Sequence, residues 1–461
     1  MIKRFFVCVV LVLASIAVSG VAADAQKPIR DLKPTVILIS LDGFRYDYVD
    51  KYAPPALSRL AKQGVRAKWM TPSFPTKTFP NHYTIVTGLY PQNHGIVENN
   101  VFDFGVTFSM SKREEVQNPR WWLGEPIWVT AEKQGQRAAS YFWPGSEAPI
   151  ENELPSSWRP YNGRVPNDMR VDKILAQLDK PAAERPTILT MYFSTTDDIG
   201  HEFGPDAEET GYAVREVDGY IGRLMQGLKK RGIDRKTNVI IVADHGMANY
   251  NFKNVTFLDD AFNFDALTDR ILWTNEIVQI FPKPGKIDEI YSKVKDLPHV
   301  TCWKKGEIPA RLHYNDGKRV APLICSSELG WITTSHARYD SFVRDLDEKD
   351  RPRGAHGYDN KYQEMQAIFL AHGPAFKRGF VAESFPNVDV YNLMCRILGL
   401  KPAKNDGDLE RVKGMLKRSR LGFARLTGPE ILDHFIWNVS TTIVLHSSSL
   451  VPSNAFIRVA A

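Results

Sequence analysis

The sequence predicts an α/β fold: a doubly wound, mostly parallel sheet flanked by helices, with insertions that form a lid or cap. Two observations predict it. Four short apolar runs recur at 34–44, 185–201, 237–247 and 364–376, and the first three lead into clusters of Asp and His. Segments with helical spacing lie between them. Such runs suit strands buried on both faces, and strand–helix alternation gives a parallel sheet.

In chain order, MIKR, the apolar FFVCVVLVLASIAVSG and the small-x-small ADAQ read as a signal peptide over residues 1–25, cleaved after Ala25. The same run is just long enough to serve as an uncleaved anchor; its early small residues favour cleavage. No later run of 18 apolar residues follows. The mature chain is therefore expected to be extracytoplasmic, secreted or periplasmic, without a stable membrane span. PTVILISLDGF (34–44) is the first strand, ending at Asp42, and PALSRLAKQG (55–64) is a short amphipathic helix closed by Gly64. PSFPTKTFPNHYTIVTG (72–88) predicts a helix that begins near Pro80 and stops at Gly88. Residues 100–165 are rich in Trp, Pro and polar groups and read as an insertion. RPTILTMYFSTTDDIGH (185–201) is a strand leading into polar residues, 208–232 is a helix, and TNVIIVADHGM (237–247) is a third strand. Residues 250–345 read as a second insertion, EMQAIFLAHGPAF (364–376) as another strand and VDVYNLMCRILGL (388–400) as a closing helix. The catalytic domain is placed at 34–402 and a tail of unassigned role at 403–461.

Composition narrows the function class. The chain has 461 residues, 43% hydrophobic and 24% charged, with net charge +6. That is ordinary globular usage. Its densest basic stretch, LKRSR at 416–420, is a short solvated run, so no nucleic-acid recognition is expected. Beyond Cys8, the cysteines are Cys302, Cys325 and Cys395, which allow one internal disulfide and one free thiol without fixing the pair. The sequons NVT at 254 and NVS at 438 are glycosylation acceptors in a eukaryotic host.

In open parallel sheets, sites form at the carboxyl ends of strands. Asp42, Asp197 with His201, and Asp244 with His245 all stand there, and GAHGYDN adds His356. Three carboxylates and three imidazoles suit zinc before manganese or iron. Six ligands exceed the need of one tetrahedral ion, so two Zn2+ per chain fit better, as in sites for phosphoryl transfer. Thr78 would sit at the positive end of the helix, where backbone N–H groups attract phosphate and a nearby metal would activate its hydroxyl. His82, within that helix, and His94, in a turn, read as structural or supporting groups; His313, His336, His372, His434 and His446 have no ligand partners nearby in sequence.

PTKTFPNHYTIVTGLYPQNHGIVENN resembles the nucleophile segment of the ectonucleotide pyrophosphatase/phosphodiesterase family, in the alkaline phosphatase superfamily. LDGFR, GEPIWVTAEKQG, FWPGS, YNGRVP, DDIGH, DHGM and HGYDN continue the resemblance in order over 34–402. It implies an alkaline-phosphatase-like fold and a phosphothreonine intermediate on Thr78. It implies one zinc held by Asp42, Asp244 and His245 near the Thr78 oxygen, and another held by Asp197, His201 and His356. Asn99 would donate to a phosphate oxygen, and Phe79 and Tyr161 would sandwich a base, with Trp143, Glu147 and Tyr192 lining the same pocket. The implied substrate is a nucleotide phosphodiester or pyrophosphate, released as a nucleoside 5′-monophosphate. The alternative is a choline phosphodiester or lysophospholipid of the same family, for which an aromatic or acidic cage is needed. A sulfatase is disfavoured by the absence of C-x-P-S-R, and a monoesterase by the lack of a matching arginine. A non-catalytic binding protein is disfavoured by the intact ligand set. The Cys-rich modules and the nuclease-like domain of larger family members are missing from this sequence.

Overall fold

A computed structural model describes residues 28–343 and 352–418. The expected signal peptide, residues 419–461 of the expected tail and the sequon at 438 lie outside the described residues. The central sheet has seven strands: β1 Thr35–Leu41, β2 Val65–Ala67, β3 Ala138–Tyr141, β4 Ile188–Phe193, β5 Thr237–Val242, β6 Phe369–His372 and β7 Phe380–Ala382. Their spatial order is β7–β2–β6–β5–β1–β4–β3. Every residue of β1 and of β5 is buried. That explains why these strands read as continuous apolar runs rather than alternating ones.

β1 runs parallel to both β4 and β5, and β3 parallel to β4. β6 runs antiparallel to β5 and β2. The sheet is thus mostly parallel. The exception has a topological cause: the chain reaches β6 after a long excursion, not through a short crossover helix, and such a return is free to enter the sheet in either direction.

The helices that flank the sheet are α1 Pro55–Gln63, α2 Thr78–Thr87, α3 Ile127–Lys133, α4 Asn167–Leu178, α5 Thr195–Phe203, α6 Glu208–Lys230 and α7 Asp389–Leu398. α6 packs against α1, α4 and α5, whereas α7 packs against α2 and α3. These are the two helical layers of a doubly wound fold. α3 and β3 fall inside the 100–165 stretch read as an insertion, and belong instead to the helical layer and the edge of the central sheet. A four-residue strand, AASY, is too short to show a run or an alternation.

Residues 268–327 do form a separate layer. Four antiparallel strands, Thr268–Trp273, Ile277–Pro282, Leu323–Ser327 and Val300–Lys304, pair in that order. They share a small core with helix Ile287–Val294, built from Val278, Ile280, Ile290, Val294 and Leu323. Cys302 and Cys325 face each other across two of these strands and are disulfide-bonded; Cys395 is a buried free thiol. In the sequon at 254, the Asn254 amide donates to Gly330 O at 3.2 Å and the Thr256 hydroxyl to Pro298 O at 3.1 Å. Packing also runs past residue 402. Val412 and Met415 enter the main core, and Arg411 pairs with Asp389 at the start of α7. Residues 403–417 are therefore packed structure.

Candidate active site

The register of the sheet builds the site. Leu41 pairs with Phe193 and Ser40 with Val242, so the chain leaves β1, β4 and β5 at one level. Asp42 is the first residue past β1, and its N–H donates to Phe193 O at 2.9 Å. Asp244 and His245 follow β5. Asp197 and His201 lie on α5, one turn apart and on one face, which is what D-x-x-x-H spacing gives in a helix. Gly246 completes DHG because a Cβ there would stand 2.1 Å from Glu364 O. α2 begins at Thr78 and is closed by its C-cap Gly88, whose N–H bonds Thr84 O. The helix starts two residues before the position expected from Pro80. Its N-cap is Lys77, which makes no side-chain cap, so Thr78 is the first helical residue and not the cap.

The expected ligands converge. Asp197, His201 and His356 present atoms within 4.8 Å of one another, and so do Asp42, Asp197 and His245. His245 Nε2 lies 2.9 Å from Asp244 Oδ2 and 3.4 Å from Asp42 Oδ1. Thr78 Oγ1 is 3.4 Å from the same nitrogen. In all three imidazoles Nδ1 meets a backbone carbonyl: Gly246 O for His245, Gly354 O for His201 and Thr76 O for His356, at 2.8–2.9 Å. Nδ1–H donation of this kind fixes the tautomer and aims the Nε2 lone pair into the cluster.

This donor set fits metal ions. Asp42 Oδ1, Asp197 Oδ1 and Asp244 Oδ2 are buried and accept no well-aligned hydrogen bond. Burial, with Asp244 and Asp197 alongside, holds the Asp42 carboxyl well above the usual range. Burial works the same way on Asp244, but His245 and His82 outweigh it and hold that carboxyl well below. Burial, with His245, Lys77 and His201 nearby, pushes His356 well down, which keeps it in the neutral form that ligates. Burial lowers His245, but Asp244 beside it outweighs burial and raises it. Buried carboxylate oxygens without hydrogen-bond donors are a cation's environment.

His82 belongs to this ring of contacts. Its Nε2 meets Ser40 Oγ at 2.8 Å, and its Nδ1 meets Thr78 O at 2.9 Å and Asp244 Oδ2 at 3.3 Å. Both nitrogens are engaged, which fits a positioning group. Its place four residues after Thr78 was the available signal. Asn99 Oδ1 accepts the Phe79 N–H at 2.9 Å, which leaves its Nδ2 as the donor end beside the Thr78 turn. His94 is buried against Thr84 and Pro80 O, and burial pushes it down to about 3, so it stays a neutral packing residue. Of the other histidines, His336 pairs with Asp259 and His313 stacks on Tyr90, each outside the cluster.

A cavity of about 240 Å³ opens on this cluster. Asp42, Thr78 and Asp197 line it, together with Phe79, Phe142, Trp143, Glu147, Tyr161 and Tyr192. Every expected pocket residue is therefore on its wall. Tyr192 donates to Asp42 Oδ2 at 2.6 Å, and Trp143 Nε1 donates to His82 O at 2.9 Å. These two aromatics support the cluster as well as line the cavity. Phe79 packs on Phe108 and Trp122, while Tyr161, 38% exposed, packs on Phe142 and Tyr192. Reading the sequence missed Arg113 and Met110, which also line the cavity.

Comparison with known proteins gives a consistent answer. A family profile described as type I phosphodiesterase / nucleotide pyrophosphatase matches residues 36–359. Ectonucleotide pyrophosphatase/phosphodiesterase family member 3 of Rattus norvegicus is 39% identical over 396 residues, 84% of this chain and 44% of that protein. A venom phosphodiesterase of Macrovipera lebetinus is 38% identical over 408 residues, covering 86% and 47%. The chain thus spans about half the length of the curated relatives it matches. Among solved structures, murine ectonucleotide pyrophosphatase/phosphodiesterase 5, an inactive threonine-to-alanine form in complex with AMP, superposes with a TM-score of 0.76 at 34% identity. The match covers 83% of this chain and 100% of that one.

Proposed function

Because the chain belongs to the type I phosphodiesterase / nucleotide pyrophosphatase family, we propose that it is a zinc-dependent hydrolase of nucleotide phosphodiester and pyrophosphate bonds. It releases nucleoside 5′-monophosphates through a phosphothreonine on Thr78. The observation that carries the reading is Thr78 itself: a hydroxyl in the first turn of α2, 3.4 Å from His245 Nε2, on the wall of a cavity that also holds aromatic faces. An inactive threonine-to-alanine relative captured with AMP supports both the residue type and the ligand class.

Asp42, Asp244 and His245 would hold one zinc, and Asp197, His201 and His356 the other. Bound there, the ions supply Lewis-acid polarisation and lower the pKa of the Thr78 hydroxyl. Thr78 Oγ1 loses its proton and attacks phosphorus in line; the leaving alcohol or pyrophosphate takes the electrons of the broken P–O bond and, through solvent, the proton. Asn99 Nδ2 stabilises the developing oxyanion. Water then hydrolyses the phosphothreonine and restores the hydroxyl. Phe79 and Tyr161 hold the base between them. The N-terminal segment directs the protein out of the cytoplasm, and no helix among the described residues is long and apolar enough to cross a membrane.

The test is hydrolysis of the p-nitrophenyl esters of thymidine 5′-monophosphate, phosphocholine and simple phosphate, each with zinc and with chelator. The expected outcome is chelator-sensitive preference for the thymidine ester. Preference for the phosphocholine ester would transfer the site to choline phosphodiesters, and preference for the simple phosphate to a monoesterase.

A further inference from the structure

Both carboxylate oxygens of Glu147, on the cavity wall, are engaged. Its Oε1 accepts the Tyr161 N–H at 2.9 Å, and its Oε2 accepts from Arg113 and from Gln117 Nε2 at 3.1 Å. Arg113 uses one of its donor groups on Glu147, and no other acceptor takes its remaining N–H groups among the described residues. The Arg113 side chain is 38% exposed and lines the same cavity. Through Glu147 it is tied to the backbone of Tyr161, and it makes no contact with Thr78 or the carboxylates around it. Glu147 also cancels its charge. A neutralised pair is a poor phosphate site but keeps the directional fork of an arginine. On this part of the wall both oxygens of the acceptor are already engaged, while N–H donors of Arg113 remain.

Resting on the nucleotide reading above, we propose that Arg113 selects the base: the pocket takes a base whose edge carries two adjacent acceptors, guanine O6 and N7, in preference to adenine. Arginine bonds that acceptor pair bidentately. Adenine sets its N6 amino group against the guanidinium, donor to donor, and cytosine does the same with N4. Uracil and thymine offer one acceptor, O4. The order expected is guanine, then uracil or thymine, then adenine and cytosine.

The test is equilibrium binding of GMP, UMP, AMP and CMP to the zinc-loaded full chain by isothermal titration, which requires no turnover. GMP should bind about tenfold or more tightly than AMP, from the discrimination of a good bidentate pair. Arg113→Met should bring the GMP:AMP ratio to near one. Arg113→Lys, which keeps the charge beside Glu147 but loses the fork, should lose most of it too. A GMP:AMP ratio near or below one in the unmodified chain overturns the inference, as does a preference that survives Arg113→Met or Arg113→Lys, or binding of none of the four. If Arg113→Met does not fold, Arg113→Lys and the four-base order in the unmodified chain still decide. Hydrolysis of bis-p-nitrophenyl phosphate, which carries no base, separately tests the diesterase reading: its failure beside a retained GMP preference sinks that reading and leaves the base selection standing.

Discussion

Lys77 immediately precedes Thr78, and its ammonium is buried. It is 7% exposed and pairs with Glu276, 8% exposed, at 2.5 Å. It also donates to His356 O at 2.9 Å and Thr274 O at 3.3 Å. One side chain thus joins the residue before the nucleophile, the loop of a metal-ligand candidate and the layer formed by 268–327. Lys77→Met keeps the stem and strands the Glu276 carboxylate in a place without water. Removing one partner of a buried pair costs about 3–5 kcal/mol. Unfolding entropy is about 2.1 cal/mol/K per residue, which over residues 28–343 and 352–417 is about 0.8 kcal/mol per degree. The unfolding midpoint should therefore fall by about 4–6 °C in a thermal melt followed by circular dichroism. Replacing both partners, as Lys77→Met with Glu276→Leu, should restore part of that loss, since no unpaired charge remains. Turnover should fall in the single variant, because Thr78 and His356 lose a shared tether. A single variant melting within about a degree of the unmodified chain, or a double variant less stable than the single, would refute the reasoning.

Thr78→Ala should abolish ester hydrolysis while zinc content, measured by elemental analysis, stays nearly the same; substantial residual turnover would remove Thr78 as nucleophile. Tyr192→Phe deletes the 2.6 Å donor to Asp42 and should weaken zinc binding about tenfold or more, read by chelator competition. Loss of the Cys302–Cys325 bridge by paired Ala substitution frees a loop with a sequence separation of 23, worth about 3 kcal/mol in the chain-entropy account, and should lower the unfolding midpoint accordingly. Burial alone would raise the Asp359 carboxyl, but hydrogen bonds from Arg311 and the Lys361 N–H hold it below its ordinary value. Its stabilisation is thus present above the unfolded value of about 4 and lost as pH falls through the folded value. The stability gap between the unmodified chain and Arg311→Ala should accordingly close on acidification, and a gap unchanged at about pH 2.5 would contradict this.

The parts of the fold that were legible are those where one physical requirement spans many residues. β1 and β5 are buried throughout, and apart from Thr35, Ser40, Thr237 and Asn238 their positions are apolar, so the pattern survives without alignment. β3 has four residues at the sheet edge, and the antiparallel entry of β6 depends on what intervenes between strands, not on its own letters. The disulfide was open because three cysteines give no pairing; it is settled by register, with Cys302 opposite Cys325. The site followed the same division. Asp42, Asp197, His201, Asp244 and His245 stand at strand ends or one helical turn apart, positions that sequence spacing encodes. The carbonyls of Gly246, Gly354 and Thr76 that aim the imidazoles have no letter of their own.

Glu147 shows why a residue's place and its role separate. Its position on the cavity wall was expected, and a buried carboxylate there suggests a cage for a cationic headgroup. What a carboxylate does, however, depends on which donors already hold it. Arg113 and Gln117 lie 34 and 30 residues away in sequence, and only the folded chain brings them to Glu147 together with the Tyr161 N–H. With its negative charge matched by a guanidinium, Glu147 offers little to a quaternary ammonium, whose binding rests on unmatched negative charge and aromatic faces. The remaining wall acid, Asp198, is exposed and accepts from Ser194 Oγ at 2.8 Å. The aromatic faces serve either ligand, but the balance of donors and acceptors does not. Glu147→Gln therefore separates the two readings: it should loosen Tyr161 and Arg113 and weaken nucleotide binding. A choline cage built on Glu147 would instead lose phosphocholine ester turnover and leave nucleotide binding untouched.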